Sequence, residues 1–348
     1  MAENTKKRLR VVQWATGNIG LRALRMVIEH PELELVGLYV YTDEKAGQDA
    51  GELCGLAPAG VKATRSADDI LALKPDCILY MPRWNDLDEV CRLLASGANV
   101  VTTRGEYINP RLMDPSMRAK VEQACAEGQS SIYCAGSSPG FITELVPLTL
   151  TTIARRLDKI LIDEYADLSQ RDSPGMLFDV MGYGKDPAAF SAAHMAHGLD
   201  GFYHSLGLVA EAIGLPFDGF EVSQEVAAAR NDIHIAAGTV PKGTIAAHRI
   251  TISCMRDGKA LMQMRLNWYC SADIDADWDL GETGWRVQVA GDTPLDVRIR
   301  FPIPMEDYTA VMPGLTAHLP VNAVPYVCAA APGIRTNTDL PRIIAKLG

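Results

Sequence analysis

Along the first 140 residues, short apolar runs alternate with amphipathic segments, the pattern expected of a parallel sheet covered by helices. Leu9 to Trp14, Leu35 to Tyr41, Cys77 to Met81, Asn99 to Thr103 and Ser131 to Ala135 read as strands. Gly20 to His30, Ala67 to Leu73, Asp86 to Ser96 and Pro115 to Glu127 read as the helices between them. The boundaries have local causes. Pro31 follows the end of the first helix, Ser66 and Asn85 are placed as N-caps, and Gly97 and Gly128 as stops.

From Leu157 the runs lengthen and become β-type: Lys159 to Asp163, His248 to Cys254, Leu261 to Tyr269, Trp285 to Val289 and Leu295 to Arg300. Turn signals at Arg256-Asp257-Gly258-Lys259 and Ala290-Gly291-Asp292 separate them, which predicts hairpins in a mixed or antiparallel sheet. Helices are expected near Ala188 to His197 and Phe202 to Ile213. Thr316 to Ala331, stopped by Pro332-Gly333, reads as a last helix. The expected fold is α/β: a Rossmann-type doubly wound parallel sheet in residues 1–145, with residues 316–348 returning to it. An α+β substrate and dimerisation domain is expected in residues 146–315.

With 348 residues, two domains are a better expectation than one. Apolar residues make up 48% and charged residues 22%, the range of a globular protein. A net charge of -10, with no basic run beyond Lys6 to Arg10, argues against a nucleic-acid partner. That basic start lacks the apolar core of a signal peptide, and no stretch of about 18 apolar residues occurs, so a cytoplasmic protein without a membrane span is expected. The eight cysteines form no CxxC pair, and no histidine lies at ligand spacing from them. Free thiols and no metal are the expectation.

The most informative segment, Val11 to Gly20, joins a strand to a helix and occupies the place of a GxGxxG fingerprint, with Ala15 at the first glycine position. Gly17 would let the backbone approach a diphosphate, Gly20 would let helix and strand pack closely, and the helix N-terminus would attract the charge. Ala15, Thr16, Gly17, Asn18, Ile19 and Gly20 are therefore candidate dinucleotide contacts. At the end of the second strand no carboxylate occupies the usual ribose-binding position; Thr42 and Lys45 follow, with Asp43 between them. This favours NADP, with NAD possible.

Gln13 to Gly20, Lys45 to Gly51, Gly136 to Phe141 and Pro332 to Pro341 resemble motifs of the native amine dehydrogenase and 2,4-diaminopentanoate dehydrogenase family, whose N-terminal domain is dihydrodipicolinate-reductase-like. The resemblance implies a homodimer that interconverts an amine with a carbonyl compound and ammonia through an imine. It also implies that the glutamate after the Thr102-Thr103 strand end, Glu106, carries the proton chemistry. Met81, Pro82, Thr103 and Ser138 are the further cofactor contacts expected, Ser138 standing where the family often has Asn. The His-His segment and Pro-Ser-Gly-Thr loop of true dihydrodipicolinate reductases are missing, which disfavours that reaction. Phe141, Tyr165, Asp167, Met176 and Phe178 are candidates for the substrate pocket, with Tyr183 beside them. Two other functions stay open: an alcohol or semialdehyde dehydrogenase on the same scaffold, and a nicotinamide-binding sensor without turnover.

Overall fold

The computed structural model describes residues 7–190 and 199–347. The chain forms two compact units, one built from the chain up to Phe141 together with Met312 onward, the other from Ile142–Val311. No helix among the described residues is long and apolar enough to cross a membrane.

The first unit begins with β1 (Leu9–Trp14), α1 (Asn18–Glu29) and β2 (Leu33–Tyr39), followed by α2 (Ala50–Leu53), β3 (Ala63–Thr64) and α3 (Ala67–Ala72). β4 (Cys77–Tyr80), α4 (Leu87–Ala95), β5 (Asn99–Thr102), α5 (Pro115–Gly128) and β6 (Ser131–Cys134) complete its N-terminal part. The C-terminal segment adds the later turns of a helix, α8 (Tyr308–Cys328), and a last strand, β15 (Gly333–Arg335). All seven strands are parallel, in the order β15-β6-β5-β4-β1-β2-β3. The order reverses between β1 and β4, so the loops leaving those strands diverge and open a crevice at the strands' C-terminal ends.

Burial explains the layering. In α1, Gly20, Ala23, Leu24 and Val27 are buried at helical spacing. Ala23 and Val27 pack on Val11, Leu79, Val101 and Tyr133 of the sheet, joined there by Val321, Val324 and Val327 of α8. β3 and β15 have two and three residues, too short to show a period in the sequence.

Two boundary expectations are corrected. The cap of α4 is Asp86, whose Oδ1 accepts from the Glu89 N–H at 3.0 Å; Asn85 is instead held by the Tyr107 hydroxyl at 2.9 Å. α5 ends on Gln129 in the left-handed region (φ 52), while Gly128 belongs to the helix. A Cβ at Gly128 would lie 1.9 Å from the Leu94 carbonyl, so glycine there permits a close approach.

The second unit contains α6 (Val146–Thr151), β7 (Leu157–Asp167), α7 (Asp200–Ala212), β8 (Gly219–Ala228), a small hairpin of β9 (Ile233–Ile235) and β10 (Gly238–Val240), then β11 (Ile245–Arg256), β12 (Lys259–Tyr269), β13 (Gly284–Gly291) and β14 (Leu295–Arg300). Its sheet runs β14-β13-β7-β12-β11-β8, antiparallel except between β7 and β12. Asp257 (φ 50) and Gly258 (φ 69) make the tight β11–β12 turn that the sequence announced. The expected helix from Ala188 begins as a short 3-10 turn, Pro187–Ala189; residues 191–198 lie outside the described residues.

One face of this sheet is apolar, with Ile160, Ile162, Ile252, Met264 and Val287 buried. The other face carries a charge network around Asp163, which is fully buried. Arg265 grips both its oxygens, Nη2 reaching Oδ2 at 2.9 Å, and Asn267 Nδ2 donates to Oδ1 at 3.2 Å. Arg249 Nε donates to Asn267 Oδ1 at 2.7 Å, its guanidinium 4.5 Å from the centre of the Trp278 ring.

Candidate active site

The strand-to-helix loop keeps the backbone of a glycine fingerprint at its substituted position. Ala15 adopts φ 78, a left-handed conformation that side chains disfavour. It is held there by an N–H bond to the Tyr39 carbonyl at 3.0 Å and by Gln13 Nε2, which donates to its carbonyl at 2.9 Å. Gly20 cannot be replaced without movement, since a Cβ would lie 2.2 Å from the Ala15 carbonyl oxygen. Gly17 is different: its φ of -72 suits any residue, and a Cβ there would meet nothing within 4 Å. Neither space nor φ accounts for glycine at position 17, which is the N-cap of α1. α1 starts with no side-chain cap and no acid in its first turn, so the amides following Gly17 face solvent with their partial positive charge uncompensated.

Lys45 reaches back onto this loop, Nζ donating to the Thr16 carbonyl at 3.0 Å and lying 3.1 Å from its hydroxyl. Thr42 is exposed beside it, and Asp43 is occupied by an ion pair with Arg65. Trp14, stacked on Tyr39 at 3.8 Å, donates from Nε1 to the half-exposed Tyr41 hydroxyl at 3.1 Å. A cavity of about 720 Å³ lies alongside, lined by Tyr41, Pro82, Arg83, Trp84 and the start of α4.

The strand registers place the remaining candidates. Trp14, Tyr80, Thr102 and Cys134 are neighbours across β1, β4, β5 and β6, and Arg335 lies opposite Tyr133. One residue onward, Ala15, Met81, Thr103, Ala135 and Asn337 therefore form a row along the crevice edge. Glu106 follows Thr103 in a short 3-10 turn, Gly105–Tyr107, and its Oε1 accepts from Arg104 Nη2 at 2.5 Å. After β6, the Ser137 and Thr316 hydroxyls are hydrogen-bonded at 2.8 Å. Ser138 Oγ is buried without a hydrogen-bond partner among the described residues, and Gly140 takes φ 122, which favours glycine.

Residues 141–348 match the family model described as the 2,4-diaminopentanoate dehydrogenase C-terminal domain. The chain belongs to this family. Over 353 residues the family member is 27% identical to an amine dehydrogenase of Streptomyces virginiae, covering 97% of this chain and 98% of the relative. Over 360 residues it is 21% identical to the 2,4-diaminopentanoate dehydrogenase of Acetoanaerobium sticklandii, covering 98% and 96%. Its fold is that of a solved amine dehydrogenase from Mycobacterium smegmatis, with a TM-score of 0.77, 18% identity and 99% of each chain covered. Membership makes this chain a dehydrogenase-type oxidoreductase.

The substrate-pocket candidates of this family member fall in both units, most of them in the second. Tyr165 lines a hollow of about 310 Å³ with Trp285, Arg286 and Arg298. Asp167 caps a turn, Oδ1 accepting from the Ser169 N–H at 2.8 Å. Phe178 packs against the positions of Gly184 and Gly238, Met176 is exposed, and the Tyr183 hydroxyl donates to the Trp268 carbonyl at 3.0 Å. Phe141 is 36% exposed in the first unit.

Sequence reasoning missed Arg104, although it stands two residues before Glu106 in the motif. It also missed Thr316 and Asn337, whose partners Ser137 and Tyr133 lie 179 and 204 residues away. No local signal announces such pairs.

Proposed function

We propose that this chain is an NADP-preferring amine dehydrogenase, reversibly converting a ketone or aldehyde and ammonia into an amine. The observation that carries the reading is the loop Ala15 to Gly20: glycine is required by packing at position 20, and at position 17 the space beside the backbone is left open, where a diphosphate would approach. The residues present fit a dinucleotide. Thr16 to Ile19 would hold its diphosphate and Thr42 and Lys45 its phosphorylated ribose, while Met81, Pro82, Thr103 and the partnerless Ser138 hydroxyl would line the nicotinamide end. The bound nicotinamide would supply or accept the hydride.

The chain's own task is then to bind, orient and move a proton. Glu106 lies beyond the end of β5, on the side of the sheet where the crevice opens. As a base it would take a proton from an ammonium ion and so free the ammonia that attacks the carbonyl; as an acid it would protonate the departing hydroxyl of the carbinolamine. Carbonyl, ammonia, NADPH and a proton give amine, NADP and water. The names of the two relatives support this chemistry, and Asp43, already paired with Arg65, leaves Lys45 to favour a phosphate over a ribose diol. We further propose a homodimer through the charged face of the mixed sheet, where Arg249, Arg265 and Arg286 lie near exposed Glu225 and Asp296; a monomer by light scattering would overturn it.

Initial rates over a panel of ketones and aldehydes, with and without ammonia, test the reaction. NADPH consumption that requires ammonia is the expected result, with NADH the poorer donor. Carbonyl-dependent oxidation without ammonia would replace the proposal by an alcohol or semialdehyde dehydrogenase.

A further inference from the structure

Glu106 is not a free carboxylate. Arg104, at the head of its turn, forks between two partners: Nη2 donates to Glu106 Oε1 at 2.5 Å and Nη1 to the Arg83 carbonyl at 2.8 Å. Its own N–H donates to Thr102 Oγ1 at 3.1 Å, which fixes the start of the side chain. On the far side of Glu106, the fully buried Tyr107 donates from its hydroxyl to Asn85 Oδ1 at 2.9 Å. The turn is therefore stitched on both sides to residues 83 and 85, in the wall of the 720 Å³ cavity.

The pair is also partly withdrawn from water, with side-chain exposures of 25% for Arg104 and 32% for Glu106. A fully exposed pair of this kind fixes little, because solvent competes and both side chains must be ordered. Here Arg104 is already ordered by two other hydrogen bonds, so its guanidinium is presented to Glu106 at little further entropic cost.

We propose that Arg104 is the positioning residue for Glu106, holding the carboxylate at the crevice edge and tying its place to the wall of the 720 Å³ cavity. The inference rests on the role given above to Glu106. A lysine would keep the charge but cannot reproduce the fork, and a methionine keeps neither.

The test uses the full-length protein as R104M, R104K, E106Q and R104M/E106Q, measured by steady-state reductive amination with NADPH, calorimetric NADPH binding and thermal melting. R104M is expected to lower kcat by about tenfold or more, while the NADPH dissociation constant moves less than about threefold. In the E106Q background the same change should alter kcat by less than about twofold, because there is no carboxylate left to position. R104K, which keeps the charge and preserves the fold should R104M not, is expected to fall between wild type and R104M.

Wild-type kcat in R104M or in R104K overturns the inference. So does an R104M loss that is as large in the E106Q background as in wild type, which would make Arg104 a structural support and leave the role of Glu106 standing. Wild-type kcat in E106Q itself refutes the proposed role of Glu106, and this inference with it.

Discussion

Exchanging Gly17 and Gly20 separately for alanine divides what the glycine loop does for the fold from what it does for a ligand. At Gly20 the new methyl would start 2.2 Å from the Ala15 carbonyl oxygen and 3.0 Å from Gln13 Nε2. Neither neighbour yields easily: Ala15 is anchored through its N–H to the Tyr39 carbonyl, and Gln13 is fully buried. Relief requires α1 to move away from β1, which costs about 3 kcal/mol at the upper end of overpacking. For a unit of this size that lowers the melting temperature by roughly 6 to 12 °C. At Gly17 the methyl meets nothing within 4 Å and the backbone is already extended, with φ -72 and ψ -172. Alanine there should change stability by less than about 1 kcal/mol, because a stiffer unfolded chain offsets the poorer helix cap that alanine makes. NADPH, however, would have to share that space with the methyl. A hydrogen bond to the diphosphate that is broken in this way is worth about 2 kcal/mol, some thirtyfold in dissociation constant. Thermal melting and calorimetry on the two variants decide it. Gly17→Ala binding NADPH within twofold of wild type would refute the reasoning, and so would equal losses of stability in both.

His248 is buried and neither ring nitrogen has a hydrogen-bond partner among the described residues; burial lowers its pKa to about 4, only partly offset by the nearby Met181 backbone. Because the unfolded chain takes up this proton first, stability should fall as pH drops from 6.5 to about 4, by about 3 kcal/mol at most; over that range the unfolding free energy from urea titration should fall by up to this much more in wild type than in His248→Phe, and parallel curves would refute it. Asp163→Ala strands the Arg265 guanidinium among buried groups and should cost about 3 to 5 kcal/mol in denaturant unfolding; a loss below about 1 kcal/mol would show that water already screens the network. A fragment ending at Phe141 lacks the fully buried Ala317, Val321, Ala323, Val324 and Val327 of α8, roughly 6 kcal/mol of apolar burial and as much as a marginal domain possesses. It should show no cooperative melt, and the same fragment joined by a short linker to residues 312–348 should regain one.

How much was legible follows from how local each signal is. The five longer strands of the first sheet and the helices α1, α3, α4 and α5 could be read because each is an uninterrupted run or a stripe; the four-residue α2 could not. The β11–β12 hairpin could be read because Asp257-Gly258 is a turn of one kind only. β15 could not, since three residues have no period and its pairing with β6 lies some 200 residues back in the chain. At the site, Gly20 was legible because close packing leaves glycine as the sole option. The backbone of Ala15 was hidden, because the conformation imposed on it by Tyr39 and Gln13 is one that alanine does not prefer. Glu106 was legible from a resemblance; its clamp by Arg104 was not, because spacing does not reveal which way two charged side chains turn.

The caps of the first unit's helices carry the last step. Asp49, Ser66, Asp86 and Asp114 each accept a backbone N–H at the start of α2, α3, α4 and α5. Among α1 to α5, α1 alone has no such group. A Ser or Asp at position 17 would have cost the fold nothing in space and would have offered the same service. Its absence from this helix start, at the point where the strand order reverses, leaves the amides there open to the diphosphate of the proposed dinucleotide. The partnerless Ser138 hydroxyl stands on the loop after β6, at the same C-terminal edge of the same sheet. In the proposed complex a diphosphate at the first and a carboxamide at the second would satisfy both with one molecule, and an elongated dinucleotide would span the roughly 15 Å that three strand spacings put between β1 and β6.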